Sequence, residues 1–286
     1  MKPKSSPTRR TFLQSTAAAF TILAPQAAKA ATANTKITAG IVGLGGRGKM
    51  IAQMINDHGG YQLTAAADYF PEVAQSATPE FGVPANRCFH GLDGYKRLLD
   101  AGVEAIFLEA PPYCFPEHTE AAVEAGCHVF IAKPLGCDVP GCLRIQAAGK
   151  QAKANNKVFL VDFQTRTDPL FIEAIKRVHQ GEVGEIAMLS SEYNDEGFPD
   201  PPHTQTIESR LQHLTWVNDI NLGGGFLVNA GIHALDVALW LAQDIPQSAM
   251  GASAIGRANP HGDSKDTYSI TYQFDNGPVL NHRGEH

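Results

Sequence analysis

The 286-residue chain is short of the features that would place it quickly in a class. It has 5 cysteines (Cys88, Cys114, Cys127, Cys137, Cys142), and none of them forms a C-x-x-C pair. Zinc-ribbon and thioredoxin-like readings therefore have no support. Charged residues make up only 18%, the net charge is −6, and no block of one sign occurs. There is no basic footprint for nucleic acid and no charged tail. No His/Cys/carboxylate cluster has metal-ligand spacing, so no metal is expected. The paired carboxylates of a conventional glycosidase do not stand out either. Long apolar runs are also missing. The one candidate membrane segment, residues 16–28, is too short and too mildly apolar to span a hydrocarbon layer of about 30 Å. What remains is ordinary globular composition, 43% hydrophobic, enough for one large or two modest domains with buried cores.

The first thirty residues have the parts of a cleavable signal. Lys2, Lys4, Arg9 and Arg10 make a basic start, a short apolar middle follows, and "AKA" ends at Ala30. "TRRTFLQ" resembles the twin-arginine export motif, departing from it at Gln14, where a lysine is common. Cargo of that route crosses already folded, so the expected destination is the periplasm, with residues 1–30 removed and no membrane contact afterwards. A general secretion signal with two incidental arginines is the plainer alternative. The cysteines are expected to act as small buried hydrophobes, and an oxidising destination leaves a disulfide open.

Beyond the leader, apolar runs at residues 35–42, 62–67, 105–109, 128–132 and 157–162 alternate with helical patterns. Those patterns lie at residues 49–58, 71–76, 95–101, 116–125 and 142–154. "AIFLEA" and "HVFIA" are continuous rather than alternating, as in strands of a parallel sheet covered on both faces. Residues 35–165 are thus expected to form a doubly wound α/β Rossmann domain. The rhythm then changes. A helix at 169–179, "GEVGEIAMLSSEY", a Pro/His/Asp-rich loop and a helical stretch at 226–242 precede runs at 248–255, 267–274 and 279–283. Closely spaced strands without intervening helices predict an α+β domain with an open antiparallel sheet over 166–286. The chain stops at "VLNHRGEH" within a strand, so this domain reads as incomplete, with an exposed edge.

Gly43, Gly45 and Gly48 give G-x-G-x-x-G between the first strand and the first helix, with Gly46 and Arg47 inside it. The glycines allow a tight turn, close approach of backbone to pyrophosphate, and close helix–strand packing. The helix start offers free N–H groups and a positive dipole end to phosphate. Asp68 ends the second strand about twenty residues on, where an acid binds ribose hydroxyls. A carboxylate there favours NAD, and Arg47, able to pair with a 2′-phosphate, keeps NADP open.

A second constellation lies downstream. Pro111-Pro112 ends a strand where open α/β sheets bind ligands, and Lys133 ends the next strand on the same side. Lysine there can be desolvated or can hydrogen-bond a substrate hydroxyl. In "GGGFLVNAGIHALDVALWL", Asn229, His233 and Asp236 fall on one helix face. A neutral histidine so placed accepts a proton from a hydroxyl, unless it is simply a core histidine satisfied by Asp236.

The ordered set "GLGGRG", "APPYCFPEH", "AKPL", "FQTR" and "GGGFLVNAGIHALDVALWL" resembles the Gfo/Idh/MocA oxidoreductase family. The resemblance implies a nicotinamide held between a Rossmann domain and an open-sheet domain. Pro111, His118 and Lys133 are expected on the cofactor side; by the resemblance Lys133 corresponds to the lysine of the Glu-Lys-Pro motif and His233 to the catalytic histidine. Ala132 stands where the family has that glutamate, and Asn229 where it has an aspartate four residues before the histidine. Asparagine cannot take a proton, so any base role falls to His233 or Lys133, with Asn229 orienting. The implied partner is a small carbohydrate, with self-association through the open sheet if the chain is complete. Three readings follow: an NAD(P)-dependent oxidoreductase of a sugar, cyclitol or polyol with tightly held cofactor; a glycoside hydrolase working by transient oxidation; and a non-catalytic, cofactor-bound carbohydrate-binding protein.

Overall fold

Six parallel strands whose residues are apolar on both faces form the first sheet, in the order β3-β2-β1-β4-β5-β6. They are β1 (Ile37–Val42), β2 (Tyr61–Asp68), β3 (Cys88–His90), β4 (Ala105–Leu108), β5 (His128–Ala132) and β6 (Phe159–Asp162). This computed structural model describes residues 36–198, 200, 202–213 and 215–285. The expected leader lies outside the described residues.

The strand order reverses between β1 and β4, the switch point at which such sheets bind ligands. Helix α1 (Gly46–His58) connects β1 to β2, and α2 (Gly94–Asp100), α3 (Phe115–Glu124) and α4 (Val139–Ala154) make the later crossovers. One face of the sheet buries Leu98, Ile106, Leu108, Phe115, Ile131 and Ile145. The other buries Ile41, Leu44, Ile51, Ile55, Leu63 and Val83. Each such side chain contributes about 1.5–3 kcal/mol on burial, so the strand ends that carry polar groups are held on a rigid platform. Strand β3 was not among the sequence expectations. Three residues after a helical turn are too few to show a period.

After α5 (Pro169–His179) the chain enters the second sheet at β7 (Met188–Asn194). That sheet runs β7-β10-β9-β8, with β8 (Ser248–Ala254), β9 (Thr267–Gln273) and β10 (Val279–Glu285). The expectation of an antiparallel sheet holds for β8–β9 and β9–β10, but β7 runs parallel to β10, so the sheet is mixed. The physical reason is the long helical crossover between β7 and β8. It brings the chain back to the far edge, so that β10, arriving last, lies beside β7 in the same direction.

That crossover contains α6 (Ile232–Ala242), preceded by a π-helical turn, Leu227–Gly231. By length and composition the run Ile220–Ala242 could cross a membrane; here Ala238, Leu235 and Leu239 pack with Leu280 and Phe274 of the second sheet. Beneath the π turn, His282 is 1% exposed; its ring bonds Ser191 Oγ (2.7 Å) and Tyr268 OH (3.1 Å). A methyl on Gly231 would sit 2.0 Å from the Tyr268 hydroxyl. Glycine is therefore what lets this helix lie against the sheet.

Candidate active site

The glycine loop is fixed by sterics that leave little choice of residue. Gly43 has φ +94°, a conformation that L side chains rarely adopt, and a Cβ there would lie 2.6 Å from the Glu109 carbonyl carbon. A Cβ on Gly48 would lie 1.9 Å from Gly43 O. Gly45 and Gly46, by contrast, face open space, and no side chain caps the N-terminus of α1. Uncapped N–H groups beside a glycine-lined space fit a pyrophosphate. A cavity of ≈ 330 Å³ continues from Leu44, Gly45 and Gly46 to Glu72, Val73 and Ser76 beyond β2. Asp68 lies at the end of β2. Its Oδ2 accepts from the Leu44 N–H (2.8 Å) and its Oδ1 from the Phe70 N–H (3.1 Å). Burial pushes this carboxyl up and the backbone donors pull it part of the way back. Asp68 thus braces the glycine loop besides standing where ribose hydroxyls are bound, a bracing role that sequence spacing did not suggest. These residues fit a dinucleotide.

Lys133 follows β5 at the switch-point end of the sheet. Its Nζ donates to the backbone carbonyl of Asn229 in the π turn (2.9 Å), not to the Asn229 side chain. The widened turn interrupts the regular ladder of backbone bonds, and the carbonyl is turned toward the lysine. Burial, and then the Arg47 charge, bring the Lys133 ammonium down to about 8, against the opposing pull of Asp195. His233 lies at the start of α6. Burial, Lys133 and Arg47 push its imidazole down to about 4, Asp236 acting in the opposite sense. The ring stacks on Tyr193 (centroids 5.8 Å apart, planes 26°). Lys133, Asn229 and His233 therefore meet at one place, although 96 residues separate Lys133 from Asn229.

Other residues differ from expectation. Asp236 shares the helix with His233, yet its carboxylate accepts both Nε and Nη2 of Arg166 (2.8–3.0 Å), whose guanidinium lies over Trp240. The "FQTR" arginine thus pins α6 to the turn Gln164–Thr167 that follows β6, and the Asp236 carboxylate is taken up by Arg166. His118 is buried in α3 against Tyr95 (centroids 4.1 Å apart), and burial lowers its pKa to about 4. The structure packs its ring between α2 and α3. Pro111 leads the short turn Pro112–Cys114 that follows β4. The cysteines are all free among the described residues. Cys88 and Cys127 are buried as expected, while Cys142 is exposed.

Sequence reasoning missed Glu109, Asp162, Tyr193 and Asp195. Arg47, expected to meet a phosphate, instead forms ion pairs with Glu109 (3.4 Å) and Asp162. A second cavity of ≈ 400 Å³ is lined by Phe226, Leu227, Tyr268, Ile270 and β8, and neither Lys133 nor His233 is among its lining residues.

Residues 37–163 match the model of an oxidoreductase family with an NAD-binding Rossmann fold, and residues 171–283 match the GFO/IDH/MocA C-terminal domain. The chain belongs to the Gfo/Idh/MocA family. Its N-terminal sheet is an NAD-binding Rossmann domain, as the glycine loop and Asp68 require. Among Gfo/Idh/MocA relatives, an inositol 2-dehydrogenase of Rhizobium meliloti is 27% identical over 81% of this chain. The chain spans 63% of that relative's length. A myo-inositol 2-dehydrogenase of Lactobacillus plantarum superposes with a TM-score of 0.69 at 27% identity, covering 88% of this chain and 70% of the other. A scyllo-inositol dehydrogenase of Lactobacillus casei, solved with NAD(H) and scyllo-inositol, gives 0.68 at 25% identity, covering 87% and 69%.

Proposed function

We propose that the protein is an NAD-dependent oxidoreductase of a secondary alcohol in a polyol, cyclitol or sugar. The observation that carries this reading is the meeting of a neutral His233 and a partly desolvated Lys133 at the switch-point end of an NAD-binding sheet. Bound NAD supplies a hydride acceptor. The chain supplies the rest. Gly45, Gly46 and the start of α1 hold the pyrophosphate, and Asp68 faces the ribose. His233, uncharged at neutral pH, takes the hydroxyl proton as the carbonyl forms. Lys133, anchored on the Asn229 carbonyl, donates a hydrogen bond to the same oxygen. Tyr193 backs the His233 ring and limits its rotation. The inositol dehydrogenases among the relatives support a cyclitol or similar polyol as substrate. The leader supports folded export through Arg9-Arg10, which requires cofactor to be loaded before export and retained afterwards.

The decisive measurement is reduction of NAD by the purified protein across a panel of inositols, aldoses and polyols, in the parent and in His233→Ala. Loss of a positioned acid–base group should cut turnover by about 10²–10⁴-fold while NAD affinity stays within a few-fold. Full activity in His233→Ala would make this helix a packing element. Tight NAD binding with no turnover on any member of the panel would favour the non-catalytic reading.

A further inference from the structure

Ala132 ends β5 and is directly in register with Asp162 at the end of β6. On the other side, Leu108 pairs with Ile131, so Glu109 follows at the level of Ala132. Two carboxylates therefore flank a methyl group across three neighbouring strands, where the parallel register sends the three side chains to the same side. Arg47 from the first turn of α1 reaches both acids. The Glu109 side chain has no solvent exposure, and neither of its oxygens accepts a hydrogen bond from any described residue. Its contact with Arg47 at 3.4 Å is an ion pair without hydrogen-bond geometry. Glu109 also lies directly beneath the glycine loop. A Cβ on Gly43 would lie 2.6 Å from its carbonyl carbon, and one on Gly48 would lie 3.5 Å from its Cβ.

A buried, unbonded carboxylate under a loop built for two phosphates is a conflict of like charge. We propose that Glu109 resolves it by taking one proton from solvent when the dinucleotide binds, acting as the charge-balancing group of the cofactor site. The inference rests on the assignment of the glycine loop to NAD. Arg47 from α1 faces Glu109 and is shared with Asp162 from β6; Lys133 after β5 and the uncharged His233 feel Arg47 in turn, with Asp195 beside the lysine. Burial already pushes the Glu109 carboxyl up to about 7, with Arg47 pulling against it. Pyrophosphate acts in one direction by either route. Its own field disfavours the carboxylate, and any pull it exerts on Arg47 weakens the ion pair that keeps Glu109 charged. The folded, cofactor-bound protein then has a higher Glu109 pKa than the free protein. Binding takes up protons and weakens as pH rises between the two values.

Calorimetric titration of NADH, whose ring is uncharged, into the full chain at pH 7 in phosphate and in Tris counts the protons directly. A group half ionised at pH 7 should take up about half a proton on becoming fully protonated. Lys133, with its pKa near 8, accounts for no more than about a tenth at that pH. Glu109→Gln, which keeps the shape, should reduce uptake to that tenth, while Lys133→Met should keep the half. Uptake near zero in the parent overturns the proposal. So does uptake that survives in Glu109→Gln, or that disappears in Lys133→Met. Binding without proton uptake sinks this inference alone, whereas failure of NADH to bind sinks the cofactor assignment with it.

Discussion

Two glycines of the same loop should fail in opposite ways when replaced by alanine. At Gly48 the added methyl would lie 1.9 Å from the carbonyl oxygen of Gly43, a backbone atom that cannot swing aside. Overpacking of this kind costs about 1–3 kcal/mol. For a chain of this size each kcal/mol lowers Tm by about 2–4 °C, so Gly48→Ala should melt roughly 2–12 °C below the parent without any ligand. At Gly45 nothing lies within 4 Å of the same methyl, and φ is −66°, allowed for any residue. The entropy gained by removing a glycine (about 0.4–1 kcal/mol) is offset by a poorer helix cap of similar size. The ligand-free Tm of Gly45→Ala should therefore change by no more than a few degrees. Its methyl nevertheless occupies the space where backbone N–H groups would meet phosphate. Losing one such charged hydrogen bond, worth about 1.5–3 kcal/mol, should weaken NAD about 10- to 150-fold. Differential scanning calorimetry and NAD titration on both variants separate the two effects. The reasoning is refuted if Gly45→Ala binds NAD like the parent, or if Gly48→Ala is as stable as the parent.

The pH dependence of turnover should carry the signature of Lys133. Because burial lowers its ammonium to about 8 and holds the His233 ring neutral above about 4, a limb near pH 8 should disappear in Lys133→Arg and persist in the slower His233→Gln. For export, replacing Arg9 and Arg10 with lysine should leave the precursor in the cytosol, read by fractionation; continued export would point to the general secretion route.

The parts of this molecule that were legible in its sequence are those fixed by local sterics or by period. Gly43, Gly45 and Gly48 answer to backbone geometry that few other residues meet, and the continuous apolar runs of β4 and β5 require a sheet covered on both faces. The parallel pairing of β7 with β10 was not legible, because strand direction depends on where a long crossover returns, not on the residues of the strand. Arg47 read as a group able to pair with a 2′-phosphate. Its partners Glu109 and Asp162 are brought to it by the register of strands more than fifty residues apart. Asp236 sits on the expected face, but a helix face admits several neighbours, and the stronger bidentate geometry of Arg166 takes it. His118 shows the converse: a motif histidine whose burial against Tyr95 follows from helix packing that no spacing encodes.

The π turn at Leu227–Gly231 gives the helix one residue more than a regular α-helical path would use. Downstream, Leu235, Ala238 and Leu239 are anchored in the second sheet, so loss of that residue would not move them. It would turn the upstream strand of the helix by about 100°, the share of one residue in an α-helical turn, carrying the Asn229 carbonyl away from Lys133. A single-codon deletion would thus take from the lysine its carbonyl anchor, and it would also turn Phe226 and Ala230 out of their cluster with Tyr268.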